Sequence, residues 1–283
     1  GSKVKEACYF IDEGYFSDAF PQYHFPRVGN APLSAYADYF PPADAELLRL
    51  ESTPDYLYQT ALIDFAKQHN YYPKLIFILR APEERIYSFY KFAQENLLRI
   101  DKDLSFSQFI NQIDAGQDDA AQVDSNSAFE RYNNLKNIVT HSHYAHYLKP
   151  YYDAFPNDRI NVIIFEDFLA NKVSYMHKLC HFLDIDPRFY DSFDFQKSNE
   201  SYAVKSRFLQ KLVKTLPLPR ALRYQDNSLK SFIKQLYLRF NTTPKEQSSD
   251  EDRAAVKKLR QRFQAANEKL SEDFGLDISA WRS

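Results

Sequence analysis

Arg80, Arg85 and Ser88 are the side chains of this 283-residue sequence whose types and spacing best suit an anion. An unbroken apolar run, Leu75 to Leu79, precedes Arg80, and Pro82 with the acidic pair Glu83-Glu84 follows it. The run has strand length and no polar alternation, which predicts a strand buried on both faces in a parallel sheet. Proline suits the first turn of a helix, where its missing N–H costs nothing, and carboxylates there complement the positive helix end. The segment therefore reads as a strand, a sharp turn and a helix, with a guanidinium at the turn. In open α/β sheets ligands bind beyond the carboxyl ends of the strands, and helix N-termini there present free N–H groups to anions. Counting along the helix puts Arg85 and Ser88 on one face and Ile86, Phe89 and Tyr90 on another. One donor-rich surface is thus predicted to carry Arg80, Arg85 and Ser88, with guanidinium for a bidentate grip on phosphate and a hydroxyl as a further donor.

Other candidates are weaker. Lys5-Glu6 stands directly before the aromatic stretch Tyr9-Phe10, and on composition alone is a solvated charge pair leading into a core segment. His141, His143 and His146 cluster, but no Cys or Glu lies at metal-ligand spacing, so a structural or substrate-facing role is favoured and no metal is assigned. Lys205 and Arg207 make a basic turn after Asn199.

These side chains need a scaffold, and the length is enough for one large α/β domain, taken as residues 1–283. A net charge of −2 gives no general attraction to nucleic acid or to acidic membranes, so anion binding must come from local groups. Cys8 and Cys180 are far apart, which argues against a disulfide framework and for a reducing, cytoplasmic compartment. No apolar run reaches membrane-spanning length. The chain opens on Gly1-Ser2 and its one methionine is Met176, so the native N-terminus is expected upstream, and a membrane-associated or luminal setting stays open.

Along the chain the pattern predicts a short helix around Leu33 to Phe40, a short strand from Leu47 to Leu50, and a helix from Ala61 to His69. The helix after Arg80 should run to about Asn96. Another should span Phe106 to Ile113, capped by Ser105, with a polar loop from Asp114 through Ser127. A helix over Tyr147 to Phe155 leads to a second buried strand, Arg159 to Phe165, and Met176 to Leu183 is helical. A charged helix from Asp250 to Phe274 should end at Gly275.

The pattern Leu-Arg-x-Pro-x-x-Arg-x-x-Ser-x-Tyr, read at Leu79 to Tyr90, resembles the 3'-phosphate-binding segment of the sulfotransferases that use 3'-phosphoadenosine 5'-phosphosulfate (PAPS). Further segments agree in order. Lys5-Glu6-x-Cys8-Tyr9-Phe10 resembles the Lys-Glu-x-His-Phe-Phe of glycan-type and bacterial members, with Cys8 in place of His and the following Asp displaced to Asp12. Glu51-Ser52-Thr53-Pro54-Asp55-Tyr56 resembles Glu-Lys-Thr-Pro-x-Tyr, with Ser52 for Lys. The run ending Phe165-Glu166-Asp167, the Leu179-Cys180 helix and the ending through Trp281 also match.

The resemblance implies a three-layer, P-loop-like α/β fold with a central parallel sheet flanked by helices, and sulfuryl transfer from PAPS to an acceptor hydroxyl, glycan or glycolipid, with adenosine 3',5'-bisphosphate as product. It makes Glu6 the general base with Lys5 its neighbour, puts Arg80 and Ser88 on the 3'-phosphate, and makes Lys205 and Arg207 further donor contacts. The glycine-rich phosphosulfate loop that family members carry ahead of the Lys-Glu segment has no counterpart, since the five glycines are dispersed. Two rivals follow: a nucleotide-binding scaffold without turnover, and a kinase-like phosphotransferase, for which the Gly-x-x-x-x-Gly-Lys-Ser/Thr loop and magnesium ligands are missing.

Overall fold

Leu75–Leu79 forms strand β1 and Ile160–Ile164 strand β2, which pair in parallel with Leu75 opposite Ile160 and Leu79 opposite Ile164. The computed structural model describes residues 2, 6–15, 26–40, 48–118, 133–195, 203–204, 242–243 and 248–282. Strand alternation puts Leu75, Phe77 and Leu79 on one face beside Ile160, Val162 and Ile164. That face packs against α6 (Tyr144–Ala154), whose Leu148 and Tyr151 are fully buried. The opposite face departs from the expected burial: Ile163 is buried, but Ile78 is 62% exposed.

The remaining helices are α1 (Leu33–Ala37), α2 (Ala61–His69), α3 (Pro82–Lys91), α4 (Phe106–Asp118), α5 (Asn133–Lys136), α7 (Phe165–Ala170), α8 (Lys172–Leu183) and α9 (Asp250–Phe274). Two-residue strands β3 (Ala203–Val204) and β4 (Thr242–Thr243) pair antiparallel. Three apolar clusters hold these elements together. Phe106, Phe109 and Phe263 join α3, α4 and α9. Leu79, Ile164, Leu270 and Trp281 bring the C-terminal segment onto the sheet. Tyr9, Phe10, Leu62 and Phe155 fix the first described segment against α2 and α6.

Local chemistry explains several boundaries. Pro82 opens α3 as predicted. Ser105 and Gln108 cap α4 reciprocally: the hydroxyl accepts the Gln108 N–H at 3.3 Å and the Gln108 side chain accepts the Ser105 N–H at 2.9 Å. Ser249 accepts the Asp252 N–H at 3.0 Å to start α9, and Gly275, at φ +64°, ends it in the left-handed conformation that glycine adopts freely.

Two further expectations are corrected. Leu47 to Leu50 gives no strand over its described residues; Leu48 and Leu50 are 53% and 52% exposed, so the apolar pattern there has no core to face. The loop expected from Asp114 is helical as far as Asp118, where a tertiary ion pair, Asp114 to Arg262 of α9 at 2.9 Å, outweighs weak local propensity. The helix after Arg80 has the length expected, and after Lys91 it widens into a π-helical stretch, Phe92–Leu97, closed by Leu98 at φ +57°. Its buried Gln94 amide donates to the Tyr90 hydroxyl at 3.0 Å and the Asp101 carbonyl at 2.9 Å, so that turn is fixed by a polar side chain within the core. Among the described residues no helix is long and apolar enough to cross a membrane, and no group of His, Cys, Asp and Glu is arranged to hold a metal.

Candidate active site

Arg80 leaves β1 at its carboxyl end, where its backbone carbonyl accepts the Tyr144 hydroxyl at 2.8 Å. Its Nη2 lies 3.4 Å from Glu84 Oε2, its Nε 4.0 Å from Glu166 Oε1, and the guanidinium is 5.7 Å from the centre of the Phe165 ring. About a third of the side chain, 35%, stays exposed, so the cation is braced on one side and open on another. Glu166 is the hub of this corner. Its Oε1 accepts the Ala81 N–H at 3.1 Å, satisfying a donor at the start of α3, and its Oε2 accepts the Trp281 indole N–H at 2.8 Å. The β2 exit, the α3 start and the C-terminal segment are thereby tied to one carboxylate. Sequence reasoning matched Glu166 only as part of a strand ending.

Ser88 lies four residues after Glu84, on the same face of α3, and is half-buried. Glu84 also lines a cavity of about 860 Å³ between α3 and α9, with Tyr87, Arg253, Lys257, Arg260 and Trp281; neither Arg80 nor Ser88 lines it.

The single surface predicted for Arg80, Arg85 and Ser88 divides. Arg85 turns away from Arg80: its Nη1 donates to Ser142 Oγ at 2.9 Å and to the Ile138 carbonyl at 3.3 Å, and its Nη2 donates to the Tyr58 hydroxyl at 2.7 Å. The helical position allowed either direction; buried acceptors on neighbouring elements decided it. Beside Arg85, the His141 ring lies flat on Tyr58, with centroids 3.8 Å apart and planes 7° from parallel, and faces Tyr15 at 6.3 Å. Of the three histidines this is the structural one: it is 5% exposed, and its Nδ1 has no hydrogen-bond partner.

Burial first, and the Arg85 charge second, push the His141 pKa down to about 3. The unfolded chain takes up the proton near pH 6.5 while the folded chain resists it, so stability is full above about pH 6.5 and falls as pH drops from there toward 3. His141→Phe keeps a ring on Tyr58 and removes this proton linkage. Denaturant titrations should show the wild type losing about 2 kcal/mol more than the variant between pH 7 and pH 5.

Glu6 is exposed, in a stretch, residues 6–15, that makes no strand. Its backbone is held instead by side chains of residues 51–59. Glu51 Oε1 accepts the Ala7 N–H at 3.2 Å, Thr53 Oγ1 the Cys8 N–H at 3.3 Å, the Tyr56 hydroxyl the Phe10 N–H at 3.3 Å, and Gln59 Oε1 the Asp12 N–H at 2.9 Å. Thr53 in turn donates to Glu51. Asp12 accepts the N–H groups of Thr60 and Ala61, at 3.0 and 2.7 Å to its nearer oxygens, and so caps α2. Cys8 adopts a left-handed backbone, φ +55°, an uncommon and costly conformation for a residue with a Cβ. Burial, with Glu6 and Asp55 nearby, pushes its thiol up to about 12, so it stays protonated and unreactive. Cys8 and Cys180 are both free and buried. Lys5, Lys205 and Arg207 lie outside the described residues.

The comparisons agree on one family. The sulfotransferase domain matches residues 59–216, more than half of the chain. Among solved structures, a sulfotransferase from Alicyclobacillus acidocaldarius superimposes with a TM-score of 0.62 at 19% identity, covering 100% of this chain and 87% of that one. No curated protein matches. The parallel sheet with its helices is the P-loop-like sulfotransferase fold expected from the sequence, and the chain belongs to the sulfotransferase family.

Proposed function

We propose that this chain, folded as a single domain over residues 1–283, moves a sulfuryl group from PAPS to a hydroxyl of a glycan or glycolipid acceptor. The observation that carries the donor half is Arg80: a guanidinium at a strand exit, backed by Glu84 and Glu166 yet a third exposed, with Ser88 further along the same helix face. A phosphate monoester fits that combination of cation and hydroxyl, and the 3'-phosphate of the nucleotide is assigned there. Lys205 and Arg207 are assigned as further donor contacts, and Lys5 as the cation beside the base.

In the transfer step the acceptor oxygen forms a bond to sulfur as the bond from sulfur to the 5'-phosphate oxygen breaks. Glu6 takes the acceptor's proton, and the electron pair leaves with adenosine 3',5'-bisphosphate. The demands are alignment of the two oxygens and a base within reach, as in phosphoryl transfer. A glycan or glycolipid is favoured as acceptor by the resemblance of the Lys5-Glu6 segment to the pattern of glycan-type and bacterial members, from which it departs at Cys8 and Asp12.

The experiment is transfer of labelled sulfate from PAPS to a panel of p-nitrophenyl glycosides, beside calorimetric titration of the bisphosphate. Label appearing on at least one glycoside, together with bisphosphate binding, is the expected result. Bisphosphate binding with no transfer to any acceptor would favour the nucleotide-binding scaffold. No binding of either nucleotide would remove both.

A further inference from the structure

We propose that Glu51 and Thr53 are the positioning residues of the sulfuryl-transfer site: they set where the Glu6 carboxylate stands, acting through the backbone of Ala7 and Cys8. The inference rests on the reading of Glu6 as the base.

Two observations carry it. The first is the way the segment is held. The N–H groups of Ala7 and Cys8, the two residues that follow Glu6, are both accepted by side chains, Glu51 Oε1 at 3.2 Å and Thr53 Oγ1 at 3.3 Å. The Thr53 hydroxyl spends its own proton on Glu51, which locks the two acceptors in one arrangement. A side chain holding backbone N–H groups fixes the chain more locally than a strand ladder would, because each bond depends on one residue.

The second observation is Cys8 itself. Its left-handed backbone turns the chain directly after Ala7, and a non-glycine residue keeps that conformation only where its surroundings over-determine it. The hydrogen bond from its N–H to Thr53 and the burial of its side chain, 4% exposed, are those surroundings. Strain of this kind, placed two residues from a candidate base, aims the Glu6 side chain.

Glu51 is suited to this role and poorly suited to being a second base. It is partly buried, its Oε1 is engaged twice, and burial pushes its pKa up, with the neighbouring Glu6 charge acting in the same direction. What it supplies is an acceptor oxygen at a fixed place. Glutamine supplies the same oxygen without the charge; methionine fills a similar volume without it.

The test compares Glu51→Gln, Glu51→Met, Thr53→Val and Glu6→Gln, with kcat measured for the p-nitrophenyl glycoside that accepts sulfate best and bisphosphate affinity measured by calorimetry. Glu51→Met and Thr53→Val should each lower kcat about tenfold or more, with bisphosphate affinity unchanged, since a misplaced base slows chemistry without disturbing the donor. Glu51→Gln should stay within about threefold of the wild type. Thermal melts identify any variant that fails to fold, and Thr53→Val carries the test if Glu51→Met is lost. If Glu6→Gln is inactive while Glu51→Met and Thr53→Val retain wild-type kcat, the positioning role is overturned and the base stands. If Glu51→Gln falls as far as Glu51→Met, the hydrogen-bond account is overturned. Full activity in Glu6→Gln would defeat the base assignment itself, and the positioning role with it.

Discussion

Glu6→Gln should lower kcat for sulfuryl transfer by roughly 10²–10⁴-fold, the range over which a positioned general base contributes, while leaving bisphosphate affinity within about twofold of the wild type. The amide keeps the size of the side chain and cannot take the acceptor's proton. Glu6 is exposed, so the substitution does not reach the core formed by Tyr9, Phe10, Leu62 and Phe155. A drop in kcat without a change in donor binding therefore reports on chemistry. The measurement is steady-state transfer of labelled sulfate at saturating PAPS. Unchanged turnover would remove Glu6 from the mechanism.

Arg80→Ala should have the complementary signature. Hydrogen bonds to charged groups contribute about 1.5–3 kcal/mol, which corresponds to a loss of about 10–100-fold in affinity for adenosine 3',5'-bisphosphate by calorimetry. Arg80→Lys should fall between, because an ammonium retains the charge but not the planar fork. The local ion pairs complicate the alanine variant: Glu84 at 3.4 Å and Glu166 at 4.0 Å lose their counter-charge together. A parallel variant, Arg80→Ala with Glu84→Gln, relieves that repulsion and should show the same loss of affinity. Equal affinity in wild type and both variants would mean that Arg80 serves only the two carboxylates.

The part of the site that could be read from the sequence was the part written in local chemistry. Leu75 to Leu79, Arg80 and Pro82 announce a strand, a turn and a helix because each residue type has few other uses in that order. Ser105 and Gly275 mark helix ends for the same reason. What escaped was written in tertiary contacts. The direction of Arg85 depends on Tyr58, Ser142 and Ile138, which are 27, 57 and 53 residues away. The bonds from residues 51–59 to the backbone of 7–12 follow neither a strand nor a helix period, so no pattern in either segment predicts them. Leu47 to Leu50 failed in the opposite sense: an apolar pattern was present without a core beside it. The family likeness proposes Glu6 as the base, while the side chains that hold the backbone beside it show only in the folded chain.

The chain contains a single tryptophan, and its indole N–H is bonded to the carboxylate that neighbours Arg80. An anion that draws the guanidinium away alters the charge felt by that ring. Ultraviolet emission from the unlabelled protein is consequently a reporter confined to one corner of the molecule, free of background from any other indole, and with the 3'-phosphate on Arg80 as proposed it should change on titration with the bisphosphate even when no acceptor is known.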